Sequence, residues 1–114
     1  MYHLKFLLTL CPCRTWTKTE ASPGVYTWDN VDQIYKYAQV HKLAFRGHGI
    51  VGYETSPDWL LGLNATEMRK AIYNHSYNTV KRYPKMASVV VVNEPMSSDG
   101  TGNLSESPMG SKLI

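Results

Sequence analysis

This sequence of 114 residues has few cysteines, no long apolar run and only a small net charge. The only two cysteines, Cys11 and Cys13, are separated by one proline, which leaves them too close for a comfortable mutual disulfide. They also lack the second ligand pair that a zinc site needs at a recognisable spacing. We therefore expect two reduced thiols and no metal site.

Two further absences narrow the class of protein. No apolar run approaches the roughly 20 residues of a membrane-spanning helix, so no membrane partner is expected. The net charge of +3 is modest. A basic cluster of Lys81, Arg82 and Lys85 falls where a helix is predicted to end. Cations at this position interact favourably with the negative end of the helix dipole. This is not a nucleic-acid footprint, and the composition is that of one globular unit.

The most informative stretch is residues 89–95, where four valines run into Asn93, Glu94 and Pro95. Unbroken valine over a short span is typical of a strand buried on both faces of a parallel sheet. Proline has no N–H to give to a neighbouring strand, so pairing should stop there. A carboxylate at the end of such a strand is where (β/α) enzymes keep catalytic groups. The alternative is an ordinary solvated glutamate in a loop.

Upstream, turn signals and periodic segments alternate regularly. Asp29 is predicted to cap a helix that ends near residues 41–42, with an apolar face at helical spacing. A short strand at residues 43–45 follows and ends in Arg46-Gly47-His48-Gly49. Residues 49–63 are then predicted to form a long loop. The apolar face of the helix that begins at Asp29 is formed by Val31, Ile34, Tyr35 and Ala38.

A second helix is predicted between this loop and the valine strand. Asn64 and Glu67 have the spacing of a capping box, and Pro84 should close the helix. The alternation of helices and strands indicates βαβ units and a parallel sheet, so the fold class is α/β. A doubly wound sheet and a barrel both remain open on this pattern. The predicted apolar face of this second helix is formed by Met68, Ala71, Ile72, His75, Thr79, Val80 and Tyr83.

Short motifs along the chain resemble, in order and spacing, those of glycoside hydrolase family 10, the endo-β-1,4-xylanases. They are Trp16 with Thr19-Glu20, Gly24-Val25-Tyr26, Arg46-Gly47-His48, Pro57-Asp58-Trp59, Val91-Val92-Asn93-Glu94, Asp99-Gly100 and Ser107-Pro108. The resemblance implies a partial (β/α)8 TIM barrel, roughly the first half, with strands 2 to 4 and the intervening helices. Residues 1–14 are then an unassigned segment, and residues 15–114 an incomplete catalytic domain.

The same resemblance implies roles for individual residues. Glu94 matches the general acid/base, Asn93 matches the residue that holds the sugar 2-hydroxyl, and His48 matches a sugar-contacting histidine. Tyr53 could supply a stacking surface. A retaining glycosidase needs a second carboxyl about 5 Å from the first as its nucleophile. In the family this residue ends the seventh strand, so no nucleophile is expected in this chain, and no cofactor is needed.

The remaining acidic and imidazole groups are predicted to be structural. Glu20 is interpreted as a solvated turn residue, Glu67 as a capping partner and Glu54 as a loop charge. His75 lies on the apolar helical face and is predicted to be a core or boundary residue.

Some family positions differ here. Residues 49–53 replace the family's Thr-Leu-Val-Trp-His, which removes a stacking tryptophan and a hydrogen-bonding histidine. Val89 and Val90 stand where the family usually has Trp-Asp. Upstream of Trp16, the family's Glu-Asn pair and lysine are also missing. These differences bear on affinity for xylan and on sugar preference.

The sequence thus predicts hydrolysis of β-1,4 bonds in xylan by a retaining mechanism, as part of a longer enzyme with a polysaccharide substrate. The 114 residues alone are not expected to be active. The alternatives are a related retaining barrel β-glycanase and a noncatalytic carbohydrate-binding or degenerate homologue. Three Asn-x-Ser/Thr sequons, at Asn64, Asn74 and Asn103, exceed chance and favour an extracellular location.

Overall fold

The computed structural model describes residues 7–9, 15–52, 56–97, 99–101 and 103. Cys11, Cys13, Tyr53 and Glu54 lie outside these ranges, so the predictions made for them are not addressed by the structure. No helix within the described ranges has both the length and the apolarity needed to cross a bilayer. The elements are β1 (Leu7–Thr9), α1 (Thr15–Thr19), α2 (Asp29–Val40), β2 (Ala44–Gly47), β3 (Val51–Gly52), a 3₁₀ helix (Asp58–Gly62), α3 (Ala65–Arg82), β4 (Ser88–Val89) and β5 (Val92–Asn93).

The strands form two parallel ladders. One sheet has the order β1-β2-β4, and β3 pairs with β5 beyond it. Parallel neighbours require crossover connections, which α2 and α3 supply. The predicted α/β class with a parallel sheet is therefore confirmed. Strand β1 lies within the segment that the sequence left unassigned.

Helix α2 ends where the sequence predicts but begins one residue earlier. Its N-cap is Trp28, which makes no side-chain capping bond, and Asp29 is the first helical residue. Asp29 and Asp32 in the first turn still favour the positive end of the helix dipole. The helix stops at His41, and Lys42 then adopts a left-handed conformation with φ +54°.

Helix α3 begins with the predicted capping box. The Glu67 N–H donates to Asn64 Oδ1, and the Asn64 N–H donates to Glu67 Oε2, each over 2.9 Å. Two of the first-turn donors are thereby satisfied by side chains. The predicted apolar face is only partly correct, because Met68 and His75 are buried whereas Val80 is exposed.

Two clusters of buried residues form the core. The first gathers Trp16, Ile50, Val51, Leu60 and Met68, and it holds the segment that leads into β3. The second lies near the start of β2 and packs α2 against the end of α3. Its members are Val31, Ala38, Phe45 and Tyr83.

The valine run departs from the prediction. It forms two short strands instead of one, and Val91 and Val92 are each 54% exposed. The expectation of a strand buried on both faces is wrong for this chain. The physical reason is that Val91 and Val92 lie just before and within β5, which pairs with β3 alone among the described strands, so no further described strand covers its other edge.

The predicted loop at residues 49–63 also contains more structure than expected. Strand β3 and the 3₁₀ helix both lie within it. A two-residue strand has no detectable period in a sequence. It forms because Val51 is buried in the first core cluster and its N–H donates to the Val91 carbonyl over 2.9 Å.

Candidate active site

A β-bulge joins the ends of the two ladders. Gly47 pairs with Val89 and Val51 pairs with Val92. The first members of these pairs are four residues apart in the chain, whereas the second members are three residues apart. One extra residue is therefore inserted between β2 and β3. Such bulges bend a strand and re-aim side chains, and they are frequent beside active sites. The bulge is the feature that positions His48.

Glycine allows the chain to follow this bend. Gly49 adopts φ +67°, a left-handed conformation that other residues rarely take. A Cβ placed on Gly49 would lie 3.6 Å from the Cβ of Asn93, so the two strand ends approach closely here. The structure thus brings the His48-Gly49 segment beside Asn93, as the sequence predicts for neighbouring strand ends.

His48 is half-buried between the strand ends and the core. It lines a cavity of about 30 Å³ together with Thr19, His75 and Thr79, among mostly apolar neighbours. A volume of this size holds a single water molecule at most. The cavity is therefore part of the support beneath the candidate site and too small for a sugar.

Asn93 and Glu94 lie where β5 ends. Asn93 is the last residue of the strand, is half-buried and pairs with Gly52. Glu94 is exposed and has φ +51°. A left-handed conformation is uncommon for a residue with a Cβ and tends to occur at functional sites. It also interrupts the alternation that would direct these two side chains to opposite faces of a strand.

Glu94 has no carboxyl partner in the part of the chain that the structure describes. No hydrogen bond or ion pair joins it to another described residue, and Glu20, Asp32 and Glu67 are each engaged elsewhere. Nor do any three His, Cys, Asp or Glu side chains gather as metal ligands within the described residues. Among the described residues, the candidate half-site therefore comprises His48, Asn93 and Glu94.

Glu20 is not the solvated turn residue that the sequence predicts. It is 4% exposed, and its carboxylate accepts three hydrogen bonds. Trp16 Nε1 donates to Oε2 over 2.8 Å, the Gly24 N–H donates to Oε1 over 2.8 Å, and His75 Nδ1 lies 3.0 Å from Oε2. Two of these donors are local, but the third, His75, reaches Glu20 from α3, 55 residues later. The prediction failed because the sequence around Glu20 does not reveal this distant partner.

His75 is buried, as predicted, and is 2% exposed. Its ring stacks on Trp16 with centroids 4.3 Å apart and planes 11° apart. Because a carboxylate offers only acceptors, Nδ1 carries the hydrogen that it donates to Glu20. Burial lowers the pKa of His75, and the neighbouring Glu20 opposes this shift only in part.

This buried network supports the strand that leads to the candidate site. Trp16 packs against Ile50, which directly follows the bulge. Trp59 on the 3₁₀ helix donates from Nε1 to the Glu20 carbonyl over 3.1 Å. One available signal was missed, because an imidazole such as His75 on an apolar helical face requires a polar partner within the core.

Solved structures share this architecture. A psychrophilic glycoside hydrolase family 10 endo-β-1,4-xylanase superposes with a TM-score of 0.85 at 22% identity, covering 93% of this chain and 36% of that one. A xylanase from Cellvibrio japonicus gives a TM-score of 0.84 at 20% identity, covering 95% of this chain and 24% of the other. The fold is therefore part of a TIM barrel.

Sequence relatives agree with the structural ones. Endo-1,4-beta-xylanase C of Phanerodontia chrysosporium is 35% identical over 89 residues, which is 75% of this chain and 22% of that protein. Endo-1,4-beta-xylanase B of Cellvibrio japonicus is 29% identical over 99 residues, 87% of this chain and 16% of that protein. The chain thus spans about a fifth of the length of these curated relatives. The family model for glycosyl hydrolase family 10 matches residues 7–113. The chain belongs to glycosyl hydrolase family 10.

Proposed function

We propose that this chain is part of a retaining endo-1,4-β-xylanase, a β-1,4-glycanase that cleaves xylan within the polymer. The observation that supports this most directly is the bulged junction, where His48 lies between β2 and β3 and where Asn93 and Glu94 end β5, the parallel partner of β3. The carboxyl ends of parallel strands are where TIM-barrel enzymes hold their catalytic groups. The relatives named above are xylanases by description.

In the proposed reaction, Glu94 is the general acid and then the general base. It protonates the glycosidic oxygen as the bond breaks, and later removes a proton from the water that hydrolyses the glycosyl-enzyme. Asn93 donates a hydrogen bond to the sugar 2-hydroxyl, a contact that strengthens in the transition state. His48 and Tyr53 contact neighbouring sugar rings. The nucleophilic carboxylate would come from a part of the enzyme outside these 114 residues.

The exposure of Glu94 fits a site that this chain forms only in part. An acid/base carboxyl needs a second carboxyl roughly 5 Å away, and that partner belongs to a later strand in the proposed enzyme. The open side of β4 and β5, with Val91 and Val92 exposed, is where the further strands of the barrel would pair. Completing the barrel would enclose the half-site.

We also infer that the protein acts outside the cell. The three sequon asparagines, Asn64, Asn74 and Asn103, are all exposed in the structure, which suits glycan attachment. The intact mass of protein recovered from the medium of its source tests both this location and the length of the natural chain. A protein found only inside cells contradicts the inference.

The catalytic proposal is tested by Glu94→Gln in the full-length natural protein. Loss of an acid/base group lowers turnover on xylan by about 10²- to 10⁴-fold. An aryl xylobioside with a strongly acidic phenol should be affected less in the bond-breaking step, because its leaving group needs no proton. Added azide should then restore turnover, because it attacks the glycosyl-enzyme without a general base.

Glu67→Gln is the matched control, since Glu67 is an exposed glutamate in the capping box of α3. It should leave turnover on both substrates nearly unchanged. Near-normal hydrolysis of xylan by the Glu94→Gln variant would contradict the assignment. Absence of any hydrolysis by the natural protein, together with retained binding to xylan, would instead identify a noncatalytic carbohydrate-binding homologue.

A further inference from the structure

Helix α3 presents an exposed stripe of cationic and aromatic side chains that the candidate active site does not use. Arg69, Tyr73, Tyr77 and Lys81 follow one another at intervals of four residues and are all exposed. Tyr73 is 67% exposed and Tyr77 is 52% exposed. We call these four residues the α3 stripe. It combines two aromatic rings with a cation at each end.

The rings and the cations of the α3 stripe are arranged together. Tyr73 and Tyr77 lie nearly parallel, with centroids 6.1 Å apart and planes 14° apart. The Lys81 ammonium lies 5.6 Å from the centroid of the Tyr77 ring. Since α3 rises about 1.5 Å per residue, the four side chains extend over about 18 Å of helix. That span suits an extended chain better than a small molecule.

The position of the α3 stripe on the helix keeps it clear of the barrel. Met68 and His75, the buried residues of α3, lie on the side that faces the core. With about 100° of rotation per residue, the stripe is centred on the opposite side of the helix. Helices in the outer ring of a TIM barrel pack beside one another, so the neighbouring helices of the ring do not cover this outward face.

Charge and ring chemistry together define the partner. Tyr77 is stacked against Tyr73 and carries Lys81 over its ring, so the outer face of Tyr73 is the aromatic face on which a sugar ring would stack. Arg69 and Lys81 would pair with carboxylates. We propose that the α3 stripe binds an acidic polysaccharide, a xylan chain that carries uronic acid groups, at a site separate from the catalytic one. This deepens the proposed function, on which it rests, by assigning a second contact to the same polymer.

The site is tested by Tyr73→Ser with Tyr77→Ser and, separately, by Arg69→Gln with Lys81→Gln. Binding is measured by affinity electrophoresis in gels that contain glucuronoxylan. The full-length protein carries Glu94→Gln here, so that the polymer is not digested. We expect each double variant to bind about tenfold more weakly, as for the loss of a stacking or ion-pair contact at an exposed site.

Matched controls come from α2. Tyr37→Ser and Lys36→Gln remove an exposed aromatic and an exposed cation that lie off the α3 stripe, and neither should alter binding. The charge requirement is tested with glucuronoxylan whose carboxyl groups have been reduced. The natural protein should bind this polymer as weakly as the Arg69→Gln, Lys81→Gln variant binds the acidic one. High salt should weaken binding to the acidic polymer alone.

Turnover of an aryl xylobioside, measured with Glu94 intact, separates this proposal from the catalytic one. The stripe variants should hydrolyse this short substrate normally, because it reaches only the catalytic site. Normal turnover with unchanged binding to glucuronoxylan would overturn the stripe proposal and leave the catalytic one standing. Equal binding to the acidic and reduced polymers, or tighter binding to a DNA oligonucleotide, would also overturn it. No turnover even by the natural protein would count against the catalytic proposal.

Discussion

Two pairs of side chains, each with one carboxylate, fasten distant parts of the chain to α3, and they differ most in their exposure to water. Glu20 and His75 form a contact that is almost fully buried, at 4% and 2% exposure. Asp32 and Arg82 form a two-pronged pair on the surface. The first lies beneath the candidate site, whereas the second ties α2 to the end of α3. Similar chemistry therefore serves two different purposes in this molecule.

The two pairs also differ in what surrounds them. The Glu20 carboxylate is enclosed by donors, so removing any partner leaves a buried polar group unsatisfied. Around the surface pair, Arg82 lies 5.6 Å from the Trp28 ring, and the Tyr83 hydroxyl donates to Asp32 over 2.8 Å. Water can replace most of what is lost there. The comparison teaches that burial, more than charge, decides how much each pair stabilises the fold.

The largest effect is expected from Glu20→Ala. The change removes the acceptor of three donors and leaves the buried N–H groups of Trp16 and His75 without their partner, and each such unsatisfied group costs about 1–3 kcal/mol. Urea unfolding of the natural protein and the variant measures the difference in the free energy of unfolding. Glu67→Ala, which removes an exposed capping glutamate, should cost about 1 kcal/mol. A loss at Glu20 no larger than at Glu67 would remove the distinction between buried and exposed groups.

An intermediate effect is expected from pH, through His75. Burial holds the pKa of His75 below its value of about 6.5 in the unfolded chain, so the unfolded state takes up the proton first. Stability is fully present above about pH 6.5 and is lost as pH falls towards the lower folded value. The urea concentration at the midpoint of unfolding should therefore be lower at about pH 5 than at about pH 7.5.

His75→Gln should flatten this dependence, because the titrating ring is gone. The control is His41→Gln, which alters an exposed histidine that stacks on Tyr37 at the end of α2. It should leave the pH dependence as in the natural protein. If the His75→Gln variant kept the full slope, another group would be responsible for it.

The smallest effect is expected from Asp32→Asn. Hydrogen bonds from Arg82 hold the pKa of Asp32 below its usual range, so the pair stabilises the fold above about pH 4 and loses this contribution in acid. Because both side chains are exposed, we expect a cost of only about 0.5–1 kcal/mol at pH 7. High salt should reduce that difference further.

Asp29→Asn is the control for this change, since Asp29 lies exposed in the same first helical turn. It should cost less than Asp32→Asn and should not share its dependence on acid pH. A loss at Asp32 as large as that at Glu20 would mean that the surface pair is far better shielded than its exposure indicates.

The helices could be predicted from the sequence because their signals are local. Asn64 and Glu67 satisfy the start of α3 within one turn, and Asp29 marks the start of α2 to within one residue. The parallel sheet followed from the alternation of helices and strands. The candidates His48, Asn93 and Glu94 came from short motifs that resemble those of the family, and for Glu94 the carboxylate at the end of an apolar run gave a further signal.

Other features depend on contacts between residues far apart in the chain. The bulge at Gly49 exists only where the β2–β4 ladder meets the β3–β5 ladder, and the burial of Glu20 depends on His75, which lies 55 residues away. The exposure of Val91 and Val92 likewise reflects which strands lie beside β5.

The sequence by itself therefore determined the fold class and the approximate helix boundaries, because short-range hydrogen bonding and apolar periodicity encode them, whereas the candidate site residues were identified through the family resemblance of short motifs. Only the tertiary structure decided which polar groups are buried, where the strand is bulged and which helix face remains open to solvent. These depend on how segments meet in space. The physical reason is that desolvation and strand pairing are set by all the neighbours of a residue, most of which are remote in sequence.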